Sequence, residues 1–514
     1  MGGIDDLKDI KLGDIDLGNV DGEKESANEN FQNYFYDRHC DYSLLKNNDD
    51  KFIVKGKKGS GKTYLVKYLE NQAKKEGKFA KTIKCNQINL NSLVEVGKTT
   101  SGNEPESFYT YIILIEIARL IFEISAKDLF CKNPLKAILF MLARRKLIKF
   151  YKERYPDGNY SFNAIKSKHS ETERFDVESS SKGFIGKRIF ENKKENEKEY
   201  KKKNAYEVVS ELEKIIYKCL KYTSIILISD DLDEQKKDDL SSENFKQFLI
   251  NYLNSINSLN EKLRKYKSKL IVVIRDDLLD TLNVYSSNIN KLITDSSIHI
   301  DWCEKTRHNQ WDYDISKMIL NKIRVSAKID ESISDKDIYM KFFSNKIENL
   351  YHMDYLISRS LGRPRDIIAF LNIIKEQNPD ALAFRSSFYR DAMAHYSQYF
   401  IGEFKNELKI YYEPAIIEQI FDLISDFNKS QFMYNEINNY YQINKGQYDK
   451  IPDLKKVITS LYKIGLLGNI TDGAVSFGYR FDGKNKPNFL SNFIVHYGAI
   501  KSLIVKKNKR GAKR

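Results

Sequence analysis

Two short stretches carry residue types whose spacing suits phosphate chemistry. The first is GKKGSGKT, Gly56 to Thr63, which follows the apolar run Phe52, Ile53, Val54 and precedes YLVKYLE. Gly56, Gly59 and Gly61 let the backbone curl so that successive N–H groups, that of Ser60 among them, point into one concavity, to which a following helix adds its positive end. The Lys62 ammonium would reach the outer phosphates of a nucleotide, and the Thr63 hydroxyl would take one position in a Mg²⁺ shell. The second stretch is SIILISDDLDE, where Ile225 to Ile228 read as a strand. It delivers Asp230 as the metal-side acid, expected on a strand neighbouring that of the loop, with Asp231 as candidate base for an attacking water and Asp233 and Glu234 in reserve. A run of acids after a strand also suits the start of a helix, so which acid is the base stays open.

Arginines extend the set. KLIVVIRDD ends in Arg275, and a cation at that strand tip would lie beside the terminal phosphate and report its presence, although a merely polar strand end reads the same. SRSLGRPRDIIAFLN places Arg363 and Arg365 around Pro364 at the start of an apolar-patterned helix, with Gly362 allowing the turn. Arg365 on such a helical lid would fold back onto the nucleotide or reach that of a neighbour in an oligomer; a surface cap is the other reading.

These groups need a sheet to hold them. Short apolar runs without alternation, at Phe52 to Val54, KTIKCNQI, SIILISDD, KLIVVIRDD and SIHIDW, are separated by helical patterns, as expected of parallel strands covered on both faces. The expected fold class is α/β, with a P-loop NTPase parallel sheet, a helical insert, a helical lid and a C-terminal winged-helix domain. Residues 1–30 read as a polar, Gly-rich extended arm, 31–302 as the ATPase core with its insert at about 91–220, 303–397 as the lid, 398–505 as the winged helix and 506–514 as a basic tail. LKKVITSLYKIGLLGNITDGAVSFGYRF carries the last assignment: a helix, a turn at Gly465, a strand, the hairpin signal TDGA and a second strand. Within the insert, KSKHSETERFDVESSSKGFIG reads as a loop and ENKKENEKEYKKKNAYE as a charged helix or disordered connector.

Composition narrows the partners. A chain of 514 residues with 41% hydrophobic and 30% charged residues is globular and long enough for two or three domains. Its five cysteines are scattered without CxxC pairs or a His at ligand spacing, which argues against a disulfide framework or zinc site and for a reducing cytoplasm. The start of the chain lacks the basic and apolar regions of a signal peptide. FYTYIILIEIARLIFEIS places Glu116, Arg119 and Glu123 on one helical face, and AILFMLA is bounded by cations, so neither is expected to cross a membrane. A formal charge of +14 favours an anionic partner, with DNA the leading candidate, and KKNKRGAKR ends the chain with six cations in nine residues. His39 and His496 read as packing residues rather than catalysts.

In order, YF before the loop, GKKGSGKT, DDLD, IRDD, a later Trp, GRPRD and a C-terminal winged helix ending near FIVHYGAIKSL resemble a group of prokaryotic P-loop ATPases in the AAA+ and STAND branch, which includes origin-recognition ATPases, KAP ATPases and immune sensors. The likeness runs from about Asn30 to Leu503. It implies an ATP-dependent, Mg²⁺-requiring switch, with members common in mobile-element and phage-defence settings. The insert lies where KAP ATPases carry membrane helices, but contains no span. The resulting expectation is an ATP-hydrolysing switch, DNA-associated, homo-oligomeric and paired with a separate effector protein. The alternatives are an ATP-gated oligomeric scaffold that binds protein partners with little turnover and a small-molecule kinase, which would have no use for a winged helix.

Overall fold

The computed structural model describes residues 7, 9–84, 104–125, 127–129, 133–154, 205–232, 243–282, 287–302, 309–343, 346–480, 483–484 and 486–504. Asp233 and Glu234, the charged segments of the insert at 166–186 and 191–204, and the basic tail at 506–514 lie outside them; Ala205 to Glu207, the end of the second segment, open the helix Ala205–Leu220.

Five strands, β1 (Ile53–Gly56), β2 (Phe79–Lys84), β3 (Ile225–Asp230), β4 (Lys269–Arg275) and β5 (Ser297–Ile300), form a sheet in the order β2-β3-β4-β1-β5. Every pairing is parallel. Both faces of β3 and β4 are buried along their whole length, which is why these two read as unbroken apolar runs. Ile225 and Leu227 of β3, with Leu270, Val272 and Ile274 of β4, pack under the helices Glu104–Glu123, Pro134–Arg154, Ala205–Leu220 and Glu243–Leu263. Ile226, Ile228, Ile271 and Val273 point the other way, onto Leu65, Val66 and Leu69 of the helix Lys62–Lys75. No described helix is long and apolar enough to cross a membrane.

The acid-bearing strand is not the loop strand's neighbour, contrary to expectation: β4 lies between β1 and β3. The chain leaves β1 for the sheet edge at β2, returns inward through β3 and β4, and then passes β1 to reach β5. Connections therefore leave β1 and β4 in opposite directions, and a crevice opens at their C-terminal ends, where ligands enter parallel sheets of this kind. Gly56 and Arg275 are paired in register there.

Beyond the sheet, the chain is helical from Asp314–Ser326 through Pro364–Gln377 to a long helix, Ser386–Leu408. The expected boundary between residues 397 and 398 falls inside this helix. Three further helices, Pro414–Phe427, Tyr434–Ile443 and Leu454–Lys463, accompany an antiparallel sheet in the order β6-β9-β7-β8, built from β6 (Gln431–Phe432), β7 (Leu467–Thr471), β8 (Ala474–Ser476) and β9 (Asn492–Val495). The TDGA signal forms the β7–β8 hairpin, with Asp472 and Gly473 at φ +52° and +79°, as a type I′ turn requires.

The N-terminal segment is not an extended arm. Leu7, Leu12, Ile15 and Leu17 are buried in one core with the helices from Asp314 onward and the C-terminal unit as far as Leu503. Leu12 and Gly13 donate backbone hydrogen bonds to Ala381 and Pro379. The apolar residues of this segment supply the buried area that docks it, while Asp9, Lys11 and Asp14 stay exposed. Farther along, Glu25 and Lys322, both almost fully buried, form an ion pair at 2.6 Å, with the ammonium 4.7 Å from the centre of the Tyr34 ring. The two histidines also differ from each other. His496 is buried against Phe400, Phe477 and Tyr479, where burial pushes its basicity far down. His39 is instead half exposed and bonds Asp314 at 2.7 Å, so it ties the sheet unit to the helical one rather than packing in a core.

Candidate nucleotide site

The loop after β1 depends on its glycines in two ways. Gly59 and Gly61 have φ of +78° and +95°, the left-handed region that side chains disfavour. At Gly56 the constraint is space, since a Cβ would come within 2.7 Å of both the Ile300 carbonyl oxygen and the Ser60 hydroxyl. The Lys62 ammonium folds back to the Gly56 and Lys57 carbonyl oxygens, 2.9 Å from each. Trp302, just after β5, donates its indole N–H to the Ser60 carbonyl at 2.8 Å and fixes the loop from the side. No side chain caps the helix that begins at Lys62, so the N–H groups of its first turn face the loop's concavity.

Asp230 ends β3 at 4% exposure and lines the same cavity as Thr63. Burial, reinforced by the adjacent Asp231 charge, pushes its carboxyl up to about 6. A carboxylate held this way gains from a divalent cation, and Thr63 and Asp230 together present the hard oxygen donors that Mg²⁺ takes. Asp231 has a φ of +58° and donates its N–H to Asp230 Oδ1 at 2.9 Å. Its own carboxylate lies 3.4 Å from the Lys84 ammonium at the end of β2, which also bonds Glu23 of the N-terminal segment at 2.9 Å.

These groups border a cavity of about 640 Å³. Its floor is the loop from Lys58 to Thr63, its walls include Asp230, Asp231 and Arg275, and its cover comes from Asn19 to Glu23, Tyr34 to Arg38, and Arg365 of the helical unit. Of the described residues given a role on the nucleotide, Gly56 is not in the lining, and neither is Arg363 beside Arg365; the others are. Arg365 packs directly over Gly59, 3.1 Å from where a Cβ would stand, and reaches Glu403 at 3.3 Å. It is therefore turned toward its own loop and is not a surface cap. Arg363 is buried, doubly bonded to Asp366, and donates to the Lys58 carbonyl at 2.7 Å and to Glu407 at 2.9 Å. Arg275 stands at the strand tip as expected, engaged by Asp277 and by Glu407.

Sequence reasoning missed Glu407, Lys84 and Glu23. Each meets the site through the tertiary fold, and only Lys84, a cation closing a strand, had a local signal. It also missed that the second loop residue, Lys57, donates to the Tyr479 carbonyl at 3.1 Å, joining the loop to the C-terminal unit.

Residues 313–405 match the family described as the FunZ-associated C-terminal helical domain, which covers the helical unit over the cavity and all but the end of the long helix. No curated protein and no solved structure matches the chain.

Proposed function

We propose that the chain is an ATP-binding and hydrolysing molecular switch of the AAA+/STAND type: a P-loop NTPase sheet, a helical lid formed by the FunZ-associated helical domain, and a C-terminal winged helix. The observation that carries this reading is that Lys62, Thr63, Asp230 and Asp231, from segments far apart in sequence, line one cavity at the C-terminal ends of parallel strands. The loop N–H groups and Lys62 would hold the phosphates. Thr63 and Asp230 would hold Mg²⁺, which would neutralise charge building on the phosphoryl oxygens. Asp231 would orient and deprotonate the attacking water, with Arg275 and Arg365 offering positive charge to the terminal phosphate. The cover from the N-terminal segment and the helical unit would keep bulk water out.

The winged-helix reading rests on the helix Leu454–Lys463, the Gly465 turn at φ +87° and the strands β7 to β9 that follow. Lys455, Lys456 and Lys463 are exposed on that helix. With the net charge of +14 they support DNA as the ligand, in a switch that acts as a homo-oligomer with a separate effector in phage defence. One observation favours the low-turnover scaffold instead: Lys84 holds the candidate base Asp231 in an ion pair.

Both readings are tested by ATP turnover of the purified protein alone, with single-stranded DNA and with double-stranded DNA, against Lys62→Ala. A switch shows turnover that DNA raises and Lys62→Ala abolishes. Bound ATP that no DNA causes to be hydrolysed refutes the DNA-responsive switch.

A further inference from the structure

The long helix Ser386–Leu408 ends against the cavity, which Asn406, Lys409 and Ile410 line. Between them Glu407 is 8% exposed and bridges two cations from different parts of the fold. Its Oε2 bonds Arg275 Nη2 at the tip of β4, and its Oε1 bonds Arg363 Nη1 at 2.9 Å. Burial opposes its charge, but Arg275, Arg363 and Lys58 outweigh that and hold the carboxyl below the usual glutamate range. Glu407 is therefore an anion, placed beside a loop whose expected ligand is also an anion.

Neither arginine needs Glu407 to stay in place. Asp277 engages Arg275 through Nε at 3.0 Å and Nη2 at 2.7 Å. Asp366 engages Arg363 through Nε at 3.0 Å and Nη2 at 2.9 Å, and the Lys58 carbonyl receives its Nη1. Each guanidinium is thus anchored by a carboxylate two or three residues along the chain, and Glu407 is the partner they share. Arg275 is level with Gly56 on the adjacent strand, one strand spacing from where the loop starts.

We propose that Glu407 is a specificity-determining residue, whose carboxylate competes with the terminal phosphate of a bound triphosphate for Arg275, which lines the cavity, while Arg363 holds the carboxylate from behind. The proposal rests on the nucleotide reading of the loop. A triphosphate that reaches Arg275 displaces the carboxylate and with it the end of the long helix. A diphosphate is too short to compete and leaves the bridge intact. Glu407 thereby lowers triphosphate affinity selectively and makes helix position depend on the third phosphate.

The test is calorimetric titration of the full chain with AMP-PNP and with ADP, both with Mg²⁺, for wild type, Glu407→Gln and Glu407→Asp. A charge-assisted bond released to the ligand should raise the preference for AMP-PNP over ADP by about tenfold or more in Glu407→Gln. Glu407→Asp keeps the charge but is too short to span both arginines, so it should move the ratio in the same direction by less and keeps the test available if the amide variant folds poorly. A ratio within about twofold of wild type in a variant that binds both nucleotides overturns the proposal and leaves the loop's role standing. If wild type binds neither nucleotide, or Lys62→Ala binds as wild type does, the loop reading itself is wrong and this proposal falls with it.

Discussion

Replacing Asp230 by Asn should stabilise the protein while ending its chemistry. Asn keeps the shape and an oxygen for the Asp231 N–H, but removes a charge that burial and Asp231 disfavour. A carboxyl titrating at about 6 when folded and at its ordinary value near 3.9 when unfolded binds its proton more tightly in the native state. Its ionisation therefore costs stability: nothing below pH 3.9, a rising amount between, and the full amount above pH 6. The plateau is about 3 kcal/mol at pH 7.5, with about half of that at pH 5. The chain has two tryptophans, Trp302 and Trp311, so a Trp311→Phe background leaves Trp302 as the reporter of urea unfolding around the loop it bonds. In that background Asp230→Asn should unfold at higher urea than its parent at pH 7.5, with the gap narrowing as pH falls to 4.5. An Asn variant no more stable than its parent at pH 7.5, or a gap independent of pH, would refute the argument that this carboxylate is held ionised at a cost for a cation to offset.

Asp231→Asn should leave ATP binding within about twofold of wild type and lower turnover by 100-fold or more, roughly the range of a lost general base, as measured by phosphate release. Glu25→Ala strands the buried Lys322 ammonium and should cost about 3 to 5 kcal/mol, seen as a lower thermal midpoint, whereas Glu25→Leu with Lys322→Met should recover most of it. If the chain binds DNA, deleting residues 506–514 should reduce the slope of log affinity against log salt, by up to about 0.9 for each duplex phosphate that the tail no longer neutralises, without abolishing binding.

The central parallel strands β3 and β4 could be read from sequence because both of their faces are buried, so Ile225 to Ile228 and Leu270 to Ile274 stand out as unbroken apolar runs. The glycines of the loop were equally legible, since φ values of +78° and +95° leave few other choices. Strand order was not, because nothing local to Asp230 records that Arg275's strand would come between it and the loop. The N-terminal segment misled for a related reason. Its leucines and isoleucines alternate with acids and glycine over a short span and gain their burial from helices formed much later in the chain. Glu407 was invisible because its partners, Arg275 and Arg363, are 132 and 44 residues away. Helical periodicity places it near an apolar face and says nothing of the cations it meets.

The docking of the N-terminal segment bears on how the chain is made. Ile15 receives its hydrogen bond from Lys375, 360 residues downstream, and Glu25 meets Lys322 297 residues downstream. At about 5 to 20 residues per second, a ribosome needs roughly 20 to 70 s to supply the first of these partners. During that interval Leu7, Leu12, Ile15 and Leu17 are exposed on the nascent chain beside a sheet unit whose own strands are already being synthesised. The cover of the cavity can thus be completed only after the helical unit has emerged, and until then the growing chain presents an open site and an apolar N-terminal segment to the chaperones that meet it.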